Sequence, residues 1–341
     1  MYVFKAIKHI AVVSVFSLFA SAASAQAPAV RDVRLMMDWL IQGTHAPFFL
    51  AQTKGYYKSE GLNVAIDSGK GATNVAVAVA GGAYQFGMVD MPTLINFNAK
   101  NPATPLIAVY IYFDSNPLSI VSRKSAKIEK PADLNGKRVA GGPGTAVYDT
   151  INLLLRSAPD TKINWVPVTP SLFAPMLLRG EVDGIGGFIN SMIPAAIEAG
   201  IKREDLSALR YSDFGANLYG MVLVTTKKYA IDNPAVVKGV VKALNRGLIE
   251  TIANPNQGLA ILKARDPMMN MEIEKVRLGI AMELINTPHV AKNGLSTVIE
   301  DRLQKTIDDI VKVNKIEKAP SPADVYDGRY LPPVAERQIK K

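Results

Sequence analysis

Asp38 and Trp39 are adjacent in the sequence, and their side chains carry complementary binding chemistry. An indole offers a flat apolar face on which an aromatic ring can stack, and a carboxylate accepts hydrogen bonds from an amino group. His45 follows shortly and can donate a hydrogen bond to a ligand oxygen. The structural alternative is a core Trp with a structural Asp, and a His that serves only the fold. Together, these residues predict a site for an amino-bearing aromatic molecule.

Two glycine-rich segments each precede a predicted helix. Residues 69–73 read Gly-Lys-Gly-Ala-Thr, and residues 141–145 read Gly-Gly-Pro-Gly-Thr. The free N–H groups and positive dipole end of a helix start favour anions or polar ligand atoms. Neither segment continues as a nucleotide-binding loop or a dinucleotide fingerprint. Ordinary turn chemistry could explain either segment alone, but we expect both to face one cleft. The candidate ligand contacts here are Gly71, Thr73, Gly142, Gly144 and Thr145.

Further candidates are polar or aromatic residues at or near the ends of predicted strands or near the start of a predicted helix. Ligands of open α/β sheets bind beyond the carboxyl ends of the strands, which is why these positions matter. Aromatic side chains from two sides of a cleft could enclose a flat ligand, although each one taken singly could equally pack in a core. These candidates are Thr44, Asp90, Met91, Tyr112, Tyr148, Phe188, Asn190, Asp213 and Tyr219.

The elements that must position these residues alternate between short apolar runs and helical patterns, which is typical of an α/β protein. Predicted strands are 33–39, 62–67, 86–90, 106–112, 118–122, 137–140, 164–168, 183–187 and 219–225. Predicted helices are 72–83, 92–99, 145–156, 173–179, 234–252, 256–264, 271–284 and 298–313, besides one that Thr44 caps and that ends near Gly55. Residues 319–334 are Pro-rich and predict an extended strap.

The segment 72–83 has valines at alternating positions, a pattern typical of a strand. Parallel neighbouring strands, however, require a crossover segment between them, and 72–83 is the only candidate for it. We therefore predict a helix there.

The first 25 residues predict a cleaved secretory signal peptide. Lys5 and Lys8 precede the apolar run 10–20, and residues 21–25 end in the small side chains that signal peptidase accepts. This run is shorter than the about 20 residues that span a bilayer, which argues against the alternative of a permanent N-terminal anchor. The chain contains no Cys, which excludes disulfides and a lipid-modified N-terminal cysteine. A free exported protein that needs retention indicates the bacterial periplasm.

Composition and charge argue against several functions. The chain has 341 residues and 48% hydrophobic content, enough for two domains, and its net charge of +9 is scattered rather than concentrated in a nucleic-acid-binding stripe. Without Cys, and with few His and no Gly-x-Ser-x-Gly elbow, neither a nucleophile–base pair nor a metal cluster can be assembled. We expect no enzyme activity, metal or cofactor. Asp38 and Asp90 could do acid–base work, but nothing in the sequence brings them together.

Five motifs resemble one family of periplasmic solute-binding proteins of ABC transporters, the SsuA/THI5-like (NMT1) family. They are Asp-Trp at 38–39 with His-Ala-Pro at 45–47, Gly-Tyr-Tyr-Lys-Ser-Glu-Gly-Leu at 55–62, Lys-Pro-Ala-Asp-Leu-Asn-Gly-Lys-Arg-Val at 130–139, Leu-Arg-Gly-Glu-Val-Asp-Gly at 178–184 and Asp-Gly-Arg-Tyr-Leu at 327–331. The match covers nearly all of the chain after the signal peptide. The Asp-Trp and His elements resemble the pyrimidine-binding branch, whereas Leu-Ile-Gln-Gly at 40–43 departs from its Asn-rich loop.

The resemblance implies a type II periplasmic binding protein fold, in which two lobes, each a mostly parallel sheet flanked by helices, are joined by a two-strand hinge. Lobe one would comprise 26–122 and 223–341, and lobe two 123–222. Such lobes close on a ligand. Fungal pyrimidine synthases of the same fold carry a cysteine-rich motif, which this chain lacks.

The implied function is capture of a small molecule by a monomer and its delivery to an ABC permease with its ATPase. We expect the ligand to be a thiamine-precursor-like pyrimidine or a similar aromatic heterocycle. A sulfonate, nitrate or aromatic carboxylate is the alternative ligand, and ligand sensing for a membrane receptor is the alternative role. We expect no nucleic-acid partner.

Overall fold

The computed structural model describes residues 30–143 and 145–339. The predicted signal peptide and Gly144 lie outside these described residues. Within residues 30–143 and 145–339, no helix is both long and apolar enough to cross a membrane. The described chain folds into two five-stranded sheets flanked by helices.

Each sheet has four strands running in one direction and one strand running against them. The first sheet has the order β2-β1-β3-β10-β4, and the second has the order β7-β6-β8-β5-β9. Strand β10 pairs antiparallel with both neighbours, as does β5, whereas the other pairings are parallel. This confirms the prediction of two mostly parallel sheets. The strands are β1 (Arg31–Met36), β2 (Leu62–Asp67), β3 (Phe86–Asp90), β4 (Leu106–Ile111), β5 (Leu118–Arg123), β6 (Arg138–Ala140), β7 (Asn164–Val166), β8 (Gly184–Phe188), β9 (Leu206–Arg210) and β10 (Met221–Thr226).

The helices include the predicted crossover between β2 and β3, and the last third of the chain is mostly helical, as predicted. They are α1 (Ala46–Thr53), α2 (Tyr56–Ser59), α3 (Ala72–Ala80), α4 (Met91–Lys100), α5 (Ala146–Asp149), α6 (Ile151–Leu154), α7 (Phe173–Arg179), α8 (Ile189–Glu198), α9 (Lys227–Asp232), α10 (Pro234–Ala253), α11 (Pro255–Arg265), α12 (Met271–Ile285), α13 (Pro288–Asn293), α14 (Glu300–Asn314), α15 (Pro322–Val325) and α16 (Val334–Arg337).

The chain passes between the two sheets twice. It leaves the first sheet after β4, forms β5 to β9 in the second sheet, and returns to the first sheet as β10. Strand β5 pairs with β8 and β9, while β10 lies between β3 and β4. The lobe boundaries at 122 and 222 stay predictions.

Some elements differ from the sequence prediction. Helix α8 was not predicted, because Pro194 lies in its interior, where proline usually breaks a helix. Strand β9 was not predicted either, because Leu-Ser-Ala-Leu-Arg does not alternate apolar and polar residues along its whole length. The helix predicted at 145–156 is broken into α5 and α6 at Thr150. The predicted strap contains α15, whose first turn is capped reciprocally by Ser321 and Asp324.

The core holds the strand ends in place. Strands β3 and β4 are buried along their whole length, as expected of sheets covered on both faces, whereas β2 alternates between buried and exposed residues. Phe48, Phe49 and Tyr110 are among the largest fully buried side chains. Burial of each such side chain contributes about 2 kcal/mol. The loops that follow the strands therefore project from a rigid base.

Candidate ligand-binding site

A cavity of about 660 Å³ lies between the carboxyl ends of the two sheets. Its lining from the first sheet follows β1, β2 and β3: Asp38, Trp39, Leu40, Gln42, Lys70, Gly71, Ala72, Thr73, Asn74, Asp90 and Thr93. Its lining from the second sheet follows β6 and β7 or lies around the end of β8: Thr145, Ala146, Val147, Pro170, Ser171, Phe173, Gly186, Gly187, Phe188, Ser191, Met192 and Ala195. Arg277 of α12 also lines it. The volume suits a small organic ligand.

Trp39 lies at the cavity wall rather than in the core. Strand β1 was predicted to include it but ends at Met36, so Asp38 and Trp39 lie in the loop that follows. The Trp39 residue is 41% exposed. A large aromatic residue that is exposed inside a cavity can stack with a planar ring.

The loop at 69–71 fixes the backbone of Asp38 and Trp39. The Gly69 N–H donates to the Trp39 carbonyl (3.1 Å), and the Gly71 N–H donates to the Asp38 carbonyl (2.8 Å). A Cβ at Gly69 would lie 1.9 Å from the carbonyl oxygen of Met37, so only glycine fits there. Gly71 has a φ of +106°, which side chains rarely adopt, and it begins α3. The glycines therefore allow the two loops to approach closely.

A hydrogen-bond chain orients the Asp38 carboxylate. His45 Nε2 lies 2.9 Å from Asp38 Oδ1, and the Gln42 N–H donates to His45 Nδ1 (3.3 Å). Because Nδ1 accepts a hydrogen bond, the proton of the neutral imidazole lies on Nε2 and is donated to Asp38. The predicted role of His45 as a ligand donor is therefore replaced by a contact to Asp38. The second carboxylate oxygen of Asp38 has no hydrogen bond among the described residues.

Asp90 lines the cavity and also caps α4. Its Oδ1 accepts from the Thr93 N–H (2.9 Å), and its Oδ2 accepts from the Thr93 hydroxyl (2.7 Å). Burial raises the pKa of Asp90 and the nearby Asp38 carboxylate raises it further, while the bonds from Thr93 oppose the shift. Both oxygens of Asp90 are thus already engaged by the protein.

The buried Glu274–Arg277 pair of α12 had no signal in the sequence pattern. Each residue is 8% exposed, and Arg277 Nε lies 3.1 Å from Glu274 Oε2. Glu274 also accepts a hydrogen bond from the Gly43 N–H, and Arg277 Nη1 donates to the Asn190 carbonyl (3.0 Å). Gly43 precedes α1, and Asn190 is in α8 after the second sheet. The pair therefore joins the loops of both sheets beside the cavity.

A second, much smaller cavity adjoins the first. It has a volume of about 10 Å³, and Asp38 and Phe188 line both cavities. Other predicted site residues line only the small cavity: Thr44, His45, Tyr112 and Asn190. The Tyr112 hydroxyl donates to the Thr44 carbonyl (2.5 Å), and burial raises the pKa of Tyr112 well above its usual value.

The structure gathers many of the predicted residues at the main cavity: Asp38, Trp39, Gly71, Thr73, Asp90, Thr145 and Phe188. The strand-end rule would also have found Lys70, Pro170 and Ser171, which follow strands but were not selected. In the described part of the chain, no group of three or more His, Asp or Glu is arranged to hold a metal ion.

The remaining described candidates line neither cavity. Met91 is buried in the first turn of α4, and the Gly142 carbonyl accepts from the Thr145 hydroxyl (2.8 Å). Tyr148 packs edge-on against Trp165, with ring centroids 5.1 Å apart. Their polar or aromatic character serves local packing and caps.

The two candidates nearest the return to the first sheet also line neither cavity. Asp213 is exposed and accepts from the Ser212 hydroxyl (3.2 Å). Tyr219 accepts from the Ile299 N–H (2.8 Å), and the Arg302 guanidinium lies 4.0 Å from its ring centroid. Tyr219 therefore links the return of the chain to α14.

The two sheets with a cleft between them have the periplasmic binding protein fold. The periplasmic aliphatic sulphonate binding protein SsuA from Escherichia coli superposes with a TM-score of 0.68 at 16% identity, covering 89% of this chain and 94% of that one. SsuA from Xanthomonas axonopodis bound to MOPS gives a TM-score of 0.65 at 15% identity, covering 89% of this chain and 100% of that one. These likenesses establish the fold.

The family model described as NMT1/THI5 like matches residues 42–258, more than half of the chain, so the chain belongs to this family. A formylaminopyrimidine-binding protein from Halalkalibacterium halodurans is 24% identical over 76% of this chain and 80% of its own length. A 4-amino-5-hydroxymethyl-2-methylpyrimidine phosphate synthase from Legionella pneumophila is also 24% identical, over 70% of this chain and 74% of its own length. Relatives of this chain thus carry the names of both a binding protein and an enzyme.

Proposed function

We propose that this protein binds an aminopyrimidine, or a similar amino-bearing aromatic heterocycle, and delivers it to an ABC importer. The observation that carries the proposal is the pairing of an exposed indole, Trp39, with the oriented carboxylate of Asp38 in one cavity. The ring would stack on Trp39 while its amino group donates to Asp38. The similarity to a formylaminopyrimidine-binding protein supports the same ligand class.

The ligand binds between two lobes, with the predicted boundaries at 122 and 222. Phe188, at the end of β8, lies on the wall that belongs to the second sheet and would contact the ring from the other side. Closure of the lobes would then surround the ligand. We further propose that the protein acts in the periplasm, that residues 1–25 direct export, and that the closed form docks on a permease as a monomer.

Binding without turnover is part of this proposal, although relatives are named as synthases. The chain has no Cys to act as a nucleophile. The Asp90 carboxylate is engaged by Thr93 through both oxygens, and Asp38 is engaged by His45 through one. In this proposal Asp38 recognises the ligand and Asp90 caps α4.

A second ligand class has its own structural support. The first turn of α3 lines the cavity without a side-chain cap, and Lys70 lies beside it. Free N–H groups and a lysine ammonium favour an anion such as a sulfonate, nitrate or aromatic carboxylate. The experiment must therefore compare the two classes directly.

Isothermal titration calorimetry and thermal shift on the mature protein test the proposal. The probes are 4-amino-2-methylpyrimidine, the matched 2,4-dimethylpyrimidine and an alkanesulfonate. We expect the melting temperature to rise with the aminopyrimidine, because it binds only the native state. We also expect mass spectrometry to recover it unchanged. If only the sulfonate bound, the ligand class would be an anion and not an aminopyrimidine. If the pyrimidine were chemically converted, the protein would be an enzyme and the proposal of binding without turnover would be wrong.

A further inference from the structure

The small cavity beside Asp38 has room for about one group of the size of a water molecule. Its volume is about 10 Å³, close to the smallest space that holds a water. Because Asp38 and Phe188 line it together with the main cavity, a substituent on a ligand in the main cavity can reach it. Thr44, His45 and Asn190 also line it, so polar side chains share its walls with the apolar side chains Met88, Phe113 and Met221.

Asn190 presents an unsatisfied acceptor at this cavity. The residue is 4% exposed, and its Oδ1 is fully buried without a hydrogen-bond partner among the described residues. A buried polar atom without a partner is strongly unfavourable. Its backbone carbonyl accepts from Arg277, which fixes the start of α8 and hence the place of the side chain. Asn190 Oδ1 is therefore free to accept a hydrogen bond from a ligand group.

None of the polar groups that line the small cavity bonds Asn190 Oδ1, and two of them, His45 and Tyr112, already have other partners. His45 engages Gln42 through one ring nitrogen and Asp38 through the other, and the Tyr112 hydroxyl donates to the Thr44 carbonyl. Asp38 accepts through one oxygen only, within the part of the chain that the structure describes. Two acceptors, one on Asp38 and one on Asn190, thus line a space for one small group.

We propose that this small cavity receives the exocyclic amino group of the ligand, with one N–H donated to Asp38 and the other to Asn190 Oδ1. A primary amino group is the ring substituent that offers two donors in this volume, whereas a hydroxyl offers one, a methyl none, and an oxo group would meet two acceptors. The inference rests on the proposed function and adds the second recognition residue.

Asp38 and Asn190 come from different sheets, which gives the amino group a further role. Asp38 follows β1 of the first sheet, and Asn190 lies in the first turn of α8, after β8 of the second sheet. An amino group bound to both residues joins the two sides of the cleft. A ligand without it would leave Asn190 unsatisfied, so selectivity for the amino group arises on closure.

The test is a cycle of two ligands and two proteins. Asn190→Leu removes the acceptor at similar volume and keeps the backbone bond to Arg277. Calorimetry would compare 4-amino-2-methylpyrimidine with 2,4-dimethylpyrimidine on wild type and variant. We expect the amino-to-methyl affinity ratio to fall about tenfold in Asn190→Leu. Asn190→Asp keeps an acceptor and should retain the preference for the amino ligand.

Asn98→Leu is the matched control, because it removes a buried amide that bonds the Leu106 backbone away from both cavities. It should lower the melting temperature but keep the wild-type affinity ratio. An unchanged ratio in Asn190→Leu would mean that the small cavity holds only solvent, while the aminopyrimidine function would stand. If wild type binds no pyrimidine at all, the proposed function and this inference both fail.

Discussion

The two walls of the main cavity differ in charge. The wall that follows the strands of the first sheet carries Asp38, Lys70 and Asp90, whereas every lining residue from the second sheet is uncharged. Charged groups lose hydration when a cleft closes, and this loss opposes their attraction to a ligand. A charged wall can orient the ligand while the cleft is open, and a neutral wall can then close over it at a lower desolvation cost.

Helix α12 lies outside this division, since its Glu274–Arg277 pair joins loops from both sheets. Arg277 also lines the cavity. Arg277 could therefore either contact the ligand, as the charged wall does, or only stabilise the loops that surround the cavity.

The largest effect is expected from Arg277→Met. The substitution leaves Glu274 buried without its ion-pair partner, so we expect the free energy of unfolding to fall by about 3 kcal/mol. Urea unfolding measures this loss. The double variant Arg277→Met/Glu274→Met should lose less than the single one, because it removes both charges. Normal stability with much weaker ligand binding would instead place Arg277 with the charged wall.

Trp39→Ala tests the proposed stacking surface. Loss of stacking on an aromatic side chain costs about 1–3 kcal/mol per base, so we expect affinity for the aminopyrimidine to fall by about 5- to 150-fold. Because Trp39 is exposed, the melting temperature of the free protein should hardly change. Calorimetry measures the affinity, and Trp165→Phe, which changes a tryptophan away from the cavity, is the control. Equal affinity in Trp39→Ala and wild type would contradict stacking.

Asp38→Asn tests the orienting role of the charged wall. The amide oxygen can still accept from His45 and from the ligand, but a neutral hydrogen bond is about half as strong as a charge-assisted one. We expect affinity for the aminopyrimidine to fall about fivefold, and affinity for an alkanesulfonate to hold or rise. The matched truncation on the neutral wall, Ser191→Ala, should change the aminopyrimidine affinity less than twofold. If Asp38→Asn weakened the alkanesulfonate and not the aminopyrimidine, the natural ligand would be an anion rather than an aminopyrimidine.

Asp90→Asn should have the smallest effect and shows the cost of burying charge. The folded-state pKa of Asp90 is raised by burial, so wild type loses stability as the pH rises from the ordinary value of 3.8 through that raised pKa. Asn caps helices about as well as Asp, so at pH 3 the variant should differ by only about 0.5 kcal/mol. Stability relative to wild type should then improve toward pH 7. If the free energies of unfolding of wild type and variant changed with pH in the same way, burial would not destabilise the ionised Asp90 carboxylate.

The alternation of strands and helices was sufficient to predict an α/β protein, and the resemblance to a known family supplied the two-lobed architecture. The segment of α3 alternates like a strand, yet the need for a crossover between β2 and β3 identified it correctly as a helix. The charged wall was also predictable in part, since Asp90 ends β3 and Asp38 and Gly71 lie in the loops after β1 and β2. Helix α8 was missed because Pro194 lies inside it. Proline disfavours a helix interior locally, and packing in the folded protein outweighs that preference.

Contacts between distant segments could not be predicted. Arg277 reaches the cavity from a helix that follows the return to the first sheet, so no local pattern marks it. Tyr148 and Tyr219 have suitable chemistry near suitable elements, but Trp165 and Arg302 occupy their rings. His45 was expected to contact a ligand, and its partner is Asp38. The partners of Tyr148 and Tyr219 lie in other elements of the chain, whereas the partner of His45 lies only 7 residues before it.

The positions of the two tryptophans give the protein an intrinsic optical reporter. The sequence has 2 Trp residues, and Trp39 lines the cavity while Trp165 packs against Tyr148 away from it. Emission from Trp39 responds to whatever stacks on its face, and emission from Trp165 supplies a steady background. Occupancy of the cleft can therefore be followed by fluorescence in an unlabelled protein, in real time and without altering any residue.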